Sequence, residues 1–378
     1  MTKIWGFLRA YFEKTDKLFW ALCISASVYG IILLASVSRA GTNYVKTQIM
    51  AVALGYFAAI VISVMDYNFL AKLWPVAAAL GAGLVVLTYF IGYGVAGADD
   101  VAWLILPGGV SFQPAELLKI CFILTFAKHL SVLKAREKLR NFFHICLLVV
   151  HAAIPALLVH LQGDDGTALI FIFIFLFMSL GAGIQWRYFA LVLVCAVAAA
   201  PVAWNMLMNE DQKKRFITAF NPESDPLGIG YQQTQGKISI ASGELNGRGL
   251  FQGPRVLKQS VPEQQNDFIF SVAGEELGFI GCIALIAILL FLLLRVLQNA
   301  GTARDSLGQY LCFGFFGMIA SQSILNIAMC LGLAPVIGIT LPFFSAGGSS
   351  VACLYLGVGL VQSVHMHRED PDKVTLQL

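Results

Sequence analysis

The stretch "VPEQQNDFIF", residues 261–270, places a carboxylate directly before a long apolar run. Asp267 could act there as a general base at a membrane surface, because an ionised carboxylate held beside a hydroxyl group can remove its proton. It could equally cap a helix, since Asp and Asn are among the residues that helix N-caps favour most. The residues of this stretch, taken alone, favour the cap.

A pair of opposite charges lies inside an apolar segment further upstream. In "QPAELLKI", Glu116 and Lys119 are three residues apart and therefore share one face of a helix. Charged side chains within a membrane span are costly and need a partner or a water-filled cavity. The two residues either neutralise each other or bind a charged substrate, and their spacing leaves both interpretations open.

Three further motifs lie at the ends of apolar segments. "HLQGDDGTALIF" contains Asp164 and Asp165, and Asp165 is the favoured cap because acidic residues at a helix N-terminus complement its dipole. "LPFFSAGGSS" is typical of close helix packing with capping. Trp103, in "GADDVAWLILPGG", is typical of a tryptophan at the membrane boundary.

One long segment, residues 208–266, is predicted to lie outside the membrane. Its glycine- and serine-rich part, "GYQQTQGKISIASGELNGRGLFQG", includes Gln232, Lys237 and Ser242. Small residues let backbones approach helices or a ligand closely. A flexible loop is the alternative, but the segment is apolar enough in places to fold back against the membrane. Lys237 could meet a phosphate group there or remain a solvated side chain.

The elements that must position these residues are membrane helices. The 378-residue chain is 58% hydrophobic and 12% charged, and its apolar residues form long blocks, which predicts an all-α integral membrane protein with one polytopic domain over residues 1–378. About ten segments have the length of about 20 residues that crosses a bilayer. They lie near 18–38, 45–65, 70–91, 113–130, 141–161, 166–184, 188–207, 268–296, 307–333 and 345–364.

Lysine and arginine in short loops predict the orientation. Basic residues cluster at the N-terminus and in "AKHLSVLKAREKLR", and such clusters favour the cytoplasmic side. An even number of spans then puts both termini in the cytoplasm and the loop 208–266, between helices 7 and 8, outside. Lys213, Lys214 and Arg215 in this outer loop run against the rule, although long loops obey it weakly.

Cysteine and histidine usage argues against several classes of protein. All eight cysteines fall within predicted spans, which indicates apolar packing rather than disulfides. The six histidines form no metal-ligand pattern, so no zinc site is predicted. The modest net charge of +3 comes from cytoplasmic loops and indicates contact with membrane lipid rather than nucleic acid.

Six separated motifs together resemble the SEDS family, the shape, elongation, division and sporulation proteins. They occur in the family's order and spacing over nearly the whole chain: "FQPAELLKI", "GDDGTALIF", "DPLGIGYQQTQGKISIASGELNGRGL", "VPEQQNDFIFSVAGEELGFIG", "NIAMCLGLAPVIGITLPF" and "SAGGSS". The Lys237 motif and "DPLG" look more like the elongation branch, RodA, than the division branch, FtsW. The sporulation branch is a further alternative.

The resemblance implies a ten-helix peptidoglycan glycosyltransferase that polymerises lipid II at the outer face of the bacterial cytoplasmic membrane, with a class B penicillin-binding protein as partner. It implies that Asp267 is the catalytic carboxylate. It also implies that Trp103, Glu116, Lys119, Asp164, Gln232, Lys237 and Ser242 line or support the substrate cavity. This reverses the preference for Asp267 as a cap, although both roles could coexist.

The sequence departs from the family pattern in three places. Asp99, Asp100, Val101 and Ala102 stand where relatives commonly have basic residues before the tryptophan. Gly163 and Asp165 replace a Pro and a Leu around Asp164, and Ala346 replaces an aromatic residue. If the missing basic groups hold a pyrophosphate in relatives, another residue must do so here.

The implied chemistry needs a base for the attacking hydroxyl and neutralisation of a leaving pyrophosphate. Asp267 is predicted to be the base, with inversion at the anomeric carbon. Cationic side chains or a divalent cation, Mg²⁺ or Mn²⁺, would neutralise the pyrophosphate. A lipid II flippase would use Glu116 and Lys119 as a polar path, and a scaffold for a transpeptidase would need no catalytic Asp267. The chain shows no inverted repeat of the kind that transporters often have.

Overall fold

Helices occupy all ten segments that the hydropathy pattern predicts. The structure is a computed structural model, and it describes residues 9, 11–38, 44–94, 101–106 and 109–368. In chain order the elements are α1 Lys17–Val37, α2 Tyr44–Val64, α3 Tyr67–Lys72, α4 Trp74–Ile91, β1 Leu104–Leu106, β2 Val110–Phe112, α5 Pro114–Ala135, α6 Phe142–His160, α7 Asp165–Gly181, α8 Trp186–Val202, α9 Glu210–Phe220, α10 Ile229–Ser242, α11 Pro254–Leu257, α12 Ile269–Gly301, α13 Ser306–Leu331 and α14 Gly348–Met366. A π-helical turn, Ala203–Leu207, continues α8, and a 3-10 turn, Pro222–Ser224, follows α9.

The predicted helical membrane fold is confirmed, and the number of crossings stays a prediction. Within the described ranges, eight helices are long and apolar enough to cross a membrane: Lys17–Val37, Tyr44–Val64, Trp74–Ile91, Phe142–His160, Trp186–Met206, Ile269–Gly301, Ser306–Leu331 and Gly348–Met366. The other two predicted spans are α5, whose sequence includes Glu116, Lys119, Lys128 and Lys134, and α7, which has 17 residues.

A small antiparallel hairpin departs from the all-α prediction. Leu104 pairs with Phe112 and Leu106 with Val110, while Trp103 forms an isolated bridge with Tyr93. Strands of three residues are too short to show an alternating pattern, which explains why hydropathy does not reveal them. The hairpin matters because it fixes the backbone of Trp103.

Helices α2 and α14 are held together by close backbone approach. A Cβ atom at Gly55 would lie 2.8 Å from Tyr355, and one at Gly359 would lie 2.8 Å from the carbonyl oxygen of Ala59. Small residues at such crossings permit the close packing that stabilises helices within membranes. The largely buried α14 therefore holds α2, which is exposed along its other face, tightly against the bundle.

The start of α1 and the end of α14 lie at the same end of the bundle. Asp16 caps α1 and accepts hydrogen bonds from Arg295 Nε at 2.7 Å and Asn299 Nδ2 at 2.9 Å, near the end of α12. His365, near the end of α14, bonds to Asn299 at 2.9 Å. Asp267 precedes the start of α12, so it lies at the opposite end of the bundle from Asp16 and His365.

The segment 208–266 folds back onto the bundle, as predicted. α10 packs against α12 and α13, where a Cβ atom at Gly236 would lie 2.8 Å from the ring of Phe268. Helices and turns therefore replace the flexible loop that was the alternative interpretation. The packing places α10 beside the turn that carries Asp267.

A kink divides α12. Gly278 has φ 66° and ψ −161°, a conformation that only glycine adopts readily. The carbonyl groups released there accept hydrogen bonds from the 244–249 segment: Arg248 N donates to Glu275 O at 2.8 Å and Gly249 N to Glu276 O at 3.0 Å. The break in the helix thus has identified hydrogen-bond partners.

Candidate catalytic cavity

Three of the predicted site residues line one cavity at the end of the bundle opposite Asp16 and His365. This central cavity has a volume of about 260 Å³. Its walls are Trp103, Gln113, Gly163, Asp164, Asp165, Arg215, Asn266, Asp267, Ile337, Gly338, Thr340, Ala346, Gly347, Ser349 and Ser350. The structure therefore brings together Trp103, Asp164 and Asp267, which are far apart in the sequence.

Asp267 lies in the turn before α12 and does not cap the helix, so the capping interpretation is wrong. The N-cap is Phe268, and no side chain caps α12. Asp267 N instead donates to Glu263 O at 3.1 Å within a tight turn, in which Glu263 has φ 52°. In the part of the chain that the structure describes, the Asp267 carboxylate forms no hydrogen bond, and it faces the central cavity.

Residues far along the chain hold the Asp267 turn in place. Asn326 Nδ2, on α13, donates to Asp267 O at 2.8 Å and to Ile339 O at 2.7 Å. Ser345 Oγ donates to Asn266 O at 2.5 Å, and Ala346 N donates to Gln265 O at 2.8 Å. Sequence analysis did not single out Asn326, although it begins the "NIAMCLGLAPVIGITLPF" motif.

The environment of Asp267 suits a base that works near neutral pH. Burial raises the pKa of its carboxyl group to about 7, and the nearby Glu263 and Asp164 carboxylates add to the rise, while Arg215 opposes it. A group with a pKa near the working pH combines enough ionised form with useful basicity. A neutral hydroxyl group bound beside it could therefore lose its proton to Asp267.

Asp164, rather than Asp165, caps α7, which corrects the sequence-based preference. Asp164 Oδ1 accepts a hydrogen bond from Thr167 N at 2.9 Å, and Asp164 Oδ2 accepts one from Gln113 Nε2 at 2.7 Å. Burial raises the pKa of Asp164 to about 6, against the effect of the Thr167 hydrogen bonds. Because both oxygens are bonded, Asp164 is fixed in the wall of the cavity.

Glu116 and Lys119 form an ion pair beneath the central cavity. Lys119 Nζ lies 2.9 Å from Glu116 Oε1, and their side chains are 1% and 10% exposed. A small void of about 10 Å³ lined by Glu116 shares Thr340 and Ser350 with the central cavity. The interpretation that Glu116 and Lys119 neutralise each other is therefore confirmed. The pair lies next to the central cavity.

Three predicted site residues lie on α10, away from the central cavity. Gln232 Nε2 donates to Pro262 O at 3.1 Å, and Ser242 Oγ donates to Ser239 O at 2.8 Å. Lys237 packs against Gly332 at the end of α13. A Cβ atom added at Gly332 would lie 3.0 Å from Lys237 Nζ. A cation there complements the negative end of the helix dipole. The roles of these three residues in substrate binding stay predictions.

Arg215 is the cation that sequence analysis missed. It projects from α9 into the central cavity and also lines a second, side cavity, whose walls are Tyr89, Val101, His160, Leu161, Gln162, Gly163, Asp165, Asn209, Asp211, Gln212 and Arg215. Arg215 forms no salt bridge with any described residue. Asp99 and Asp100, which replace the expected basic residues, lie outside the described residues.

Replacing Asn326 by alanine tests the support of the Asp267 turn. We expect Asn326→Ala to lower the free energy of unfolding by about 1–3 kcal/mol, because the carbonyl groups of Asp267 and Ile339 lose their buried donor. The turn that carries Asp267 would also move, so the turnover rate should fall by a larger factor than the affinity for substrate. Thermal unfolding in detergent and steady-state kinetics measure both effects.

Ser323→Ala is the matched control for this change. Ser323 lies on the same helix, and its buried hydroxyl group has no hydrogen-bond partner among the described residues. Equal losses of stability in both variants would contradict a specific role for Asn326.

Comparison with known proteins connects this cavity to cell-wall enzymes. Residues 16–370 match the family of cell cycle proteins FtsW, RodA and SpoVE. The chain is 31% identical to the peptidoglycan glycosyltransferase MrdB of Escherichia coli K12 over 363 residues, 96% of each chain. It is 32% identical to the probable peptidoglycan glycosyltransferase FtsW of Geobacter metallireducens over 364 residues, 93% of this chain and 95% of the relative.

Solved structures show the same architecture. A chain of a peptidoglycan synthase complex, solved in a study of how polymerization and crosslinking are coordinated, matches with a TM-score of 0.81 at 28% identity, covering 94% of this chain and 99% of the other. The rod shape determining protein RodA of Thermus thermophilus matches with a TM-score of 0.70 at 25% identity, covering 94% and 98%.

Proposed function

The chain belongs to the FtsW, RodA and SpoVE family and is a peptidoglycan glycosyltransferase, and from this premise we propose that it polymerises lipid II with Asp267 as the catalytic base. The observation that carries the assignment is the unbonded Asp267 carboxylate, which faces a cavity and has a pKa of about 7. Such a group is poised to accept a proton near neutral pH.

The reaction joins two sugars at the central cavity. The 4-hydroxyl group of an incoming lipid II sugar attacks the anomeric carbon of the growing strand and gives its proton to Asp267. The bond from that carbon to the pyrophosphate oxygen breaks, and undecaprenyl pyrophosphate leaves with the electron pair. Attack from the opposite face inverts the anomeric centre. A single carboxylate suffices because pyrophosphate is already a good leaving group and needs no general acid.

Arg215 is placed to neutralise the leaving pyrophosphate. Its guanidinium group lines the cavity that contains Asp267, and such a fork of donors suits phosphate oxygens. It thus supplies a cation where the chain lacks the basic residues before Trp103. The described residues contain no group of three or more His, Cys, Asp or Glu side chains that could hold a metal ion. A divalent cation would depend on Asp164, Asp267 and substrate phosphates, and no step here requires it.

The remaining predicted residues have supporting roles in this proposal. Trp103 offers an aromatic wall to the sugar, and Asp164 fixes the start of α7 beside it. Glu116 and Lys119 form an ion pair without net charge next to the central cavity, and they do not line it. Gln232 stabilises the Asp267 turn by its hydrogen bond to Pro262 O. Lys237 and Ser242 would contact the substrate only where the substrate extends along α10.

We place the enzyme in the bacterial cytoplasmic membrane, with the central cavity on the outer face, where lipid II is polymerised. The basic loops predicted to be cytoplasmic, and the position of the start of α1 beside the end of α14, support this orientation. We further propose a role in cell elongation with a class B penicillin-binding protein as partner. The similarity to MrdB and RodA supports elongation, and division remains the alternative because an FtsW protein also matches, at 32% identity over 93% of the chain.

A reconstitution assay tests the function. The purified protein, with its class B penicillin-binding partner, is given lipid II in detergent, and glycan strands are separated by length. We expect polymer to form without any other glycosyltransferase. Lipid II translocation in vesicles without polymer would instead identify a flippase, and no change in lipid II would leave only a scaffold.

The rate of polymerisation should depend on pH through Asp267. Because the base must be ionised, activity should rise through a pKa of about 7 and be roughly tenfold below its plateau one pH unit lower. The sign for folding is opposite: a carboxyl pKa raised in the folded state lowers stability as pH rises from about 4 to about 7. Initial rates across this range, together with thermal unfolding, measure both trends. A flat rate profile would contradict the assignment.

A further inference from the structure

The side cavity adjoins the central cavity. The two share Gly163, Asp165 and Arg215 as a common wall. The side cavity is the larger, at about 510 Å³ against about 260 Å³. A ligand held at Asp267 that is too large for the central cavity would therefore reach the side cavity by passing Arg215.

Size alone means that the central cavity cannot hold the whole of both substrates. Small-molecule sites typically measure about 300–1,000 Å³, so about 260 Å³ accommodates the reacting sugars at most. A strand that grows by repeated addition carries further sugars behind the reacting one. Those sugars must lie outside the central cavity, and the side cavity is the space that adjoins it.

The lining of the side cavity suits a saccharide rather than a lipid chain. Its walls combine Tyr89, Val101 and Leu161 with the polar side chains of Asn209, Asp211, Gln212, Asp165, His160 and Arg215. Among these, the side chains of Asp211 and Arg215 form no hydrogen bond with a described residue, so they are free to meet a ligand. Hydroxyl and acetamido groups of sugars can both donate and accept hydrogen bonds with such groups. An acyl or prenyl chain would satisfy none of them, and leaving polar groups desolvated without partners is costly.

The wall between the two cavities is held by side-chain bonds. Gln212 Nε2 donates to Asp165 Oδ2 at 2.6 Å, and Asp165 Oδ1 lies 2.5 Å from His160 Nδ1. Asn209 and Gln212 form a capping box that fixes the start of α9. The Gln212 bond connects the start of α9 to the start of α7. It fixes the shape of the side cavity before any ligand binds.

We propose that the side cavity binds the growing glycan strand through the N-acetylated sugars next to the reacting one. Between additions, the side cavity guides the strand away from Asp267. This inference rests on the proposed polymerase function. Its consequence is processive synthesis: a strand retained there stays bound while the next lipid II enters. Loss of the side cavity should shorten strands by releasing them early.

Asp211→Trp tests the proposal by filling the side cavity. The change is made in the full-length protein with its penicillin-binding partner, and lipid II is the probe. We expect the mean strand length to fall about threefold or more, because the loss of even one weak hydrogen bond speeds dissociation by about that factor. The ratio of chain extension to chain initiation, measured from labelled strand ends, should fall with it.

Glu210→Trp is the matched control. Glu210 is the neighbouring acidic residue on α9, its side chain is 89% exposed, and it does not line the side cavity. Wild-type strand length in Asp211→Trp, or equal shortening in both variants, would overturn the proposal. Complete loss of lipid II consumption in Asp211→Trp alone would also overturn it, because the cavity would then admit incoming substrate. Failure of the polymerase function itself is separate: the unmodified complex would make no polymer.

Discussion

Asp267→Asn is expected to reduce polymerisation by about 10²–10⁴-fold, the range that a general base typically contributes. Asparagine has nearly the same shape but cannot accept the proton of the attacking hydroxyl group. Folding should not suffer, because the variant loses a buried charge whose ionisation is unfavourable, and the Asp267 carboxylate bonds to no described side chain. Strand synthesis from lipid II and thermal unfolding in detergent measure the two effects separately.

Glu263→Gln is the control for this prediction. Glu263 raises the pKa of Asp267 from the same turn, and its amide replacement keeps the side-chain length. We expect this variant to remain active, with the acidic limb of its pH profile moved to lower pH. Wild-type rates of polymerisation in Asp267→Asn would disprove the catalytic assignment.

Lys119→Met is expected to lower the free energy of unfolding by about 3–5 kcal/mol, the usual cost of leaving one member of a buried ion pair alone. Glu116 would then be a buried carboxylate, next to the central cavity, that has lost its ion-pair partner. Adding Glu116→Gln should recover much of the loss, since a neutral amide is far cheaper to bury than a lone charge. Unfolding of both single variants and the double variant gives the coupling between the two residues.

Lys128→Met is the matched control for the ion pair. Lys128 lies on the same helix and forms no salt bridge with the described residues. A similar loss of stability there would show that the cost reflects a change in the helix rather than the broken pair. If Lys119→Met were as stable as the unmodified protein, Glu116 would have to be neutral or otherwise bonded.

The positions of the helices could be predicted because apolar blocks report directly on burial in a membrane. Asp267 could be predicted as catalytic only through its place in six ordered motifs, since its local sequence favoured a cap. The cap was wrong because the positive φ of Glu263 tightens the turn, so that α12 begins after Asp267. The preference of Asp for helix N-caps depends on residue type alone and does not predict that turn geometry.

Arg215 and Asn326 could not be identified from the sequence for a different reason. Arg215 belongs to "DQKKRF", which has the composition of an ordinary solvated charge cluster. Only the tertiary fold, in which Gln212 of α9 bonds to Asp165 at the start of α7, brings Arg215 to the cavity that contains Asp267. Asn326 bonds to the backbone of a residue 59 positions away. Contacts of this range depend on the tertiary fold, and a polar residue within an apolar helix gives no sign of its partner.

The kink at Gly278 shortens the straight part of α12 that has to cross a bilayer. An unbroken helix of 33 residues would extend about 50 Å, well beyond a hydrocarbon core of about 30 Å. The part from Phe279 to Gly301 alone extends about 35 Å, which matches that thickness with a modest tilt. Together with the hydrogen bonds of Asn326 and Ser345, the kink holds the Asp267 turn beyond the end of this straight part. We therefore expect Asp267 to lie near the lipid headgroups, where a polyprenyl pyrophosphate must lie.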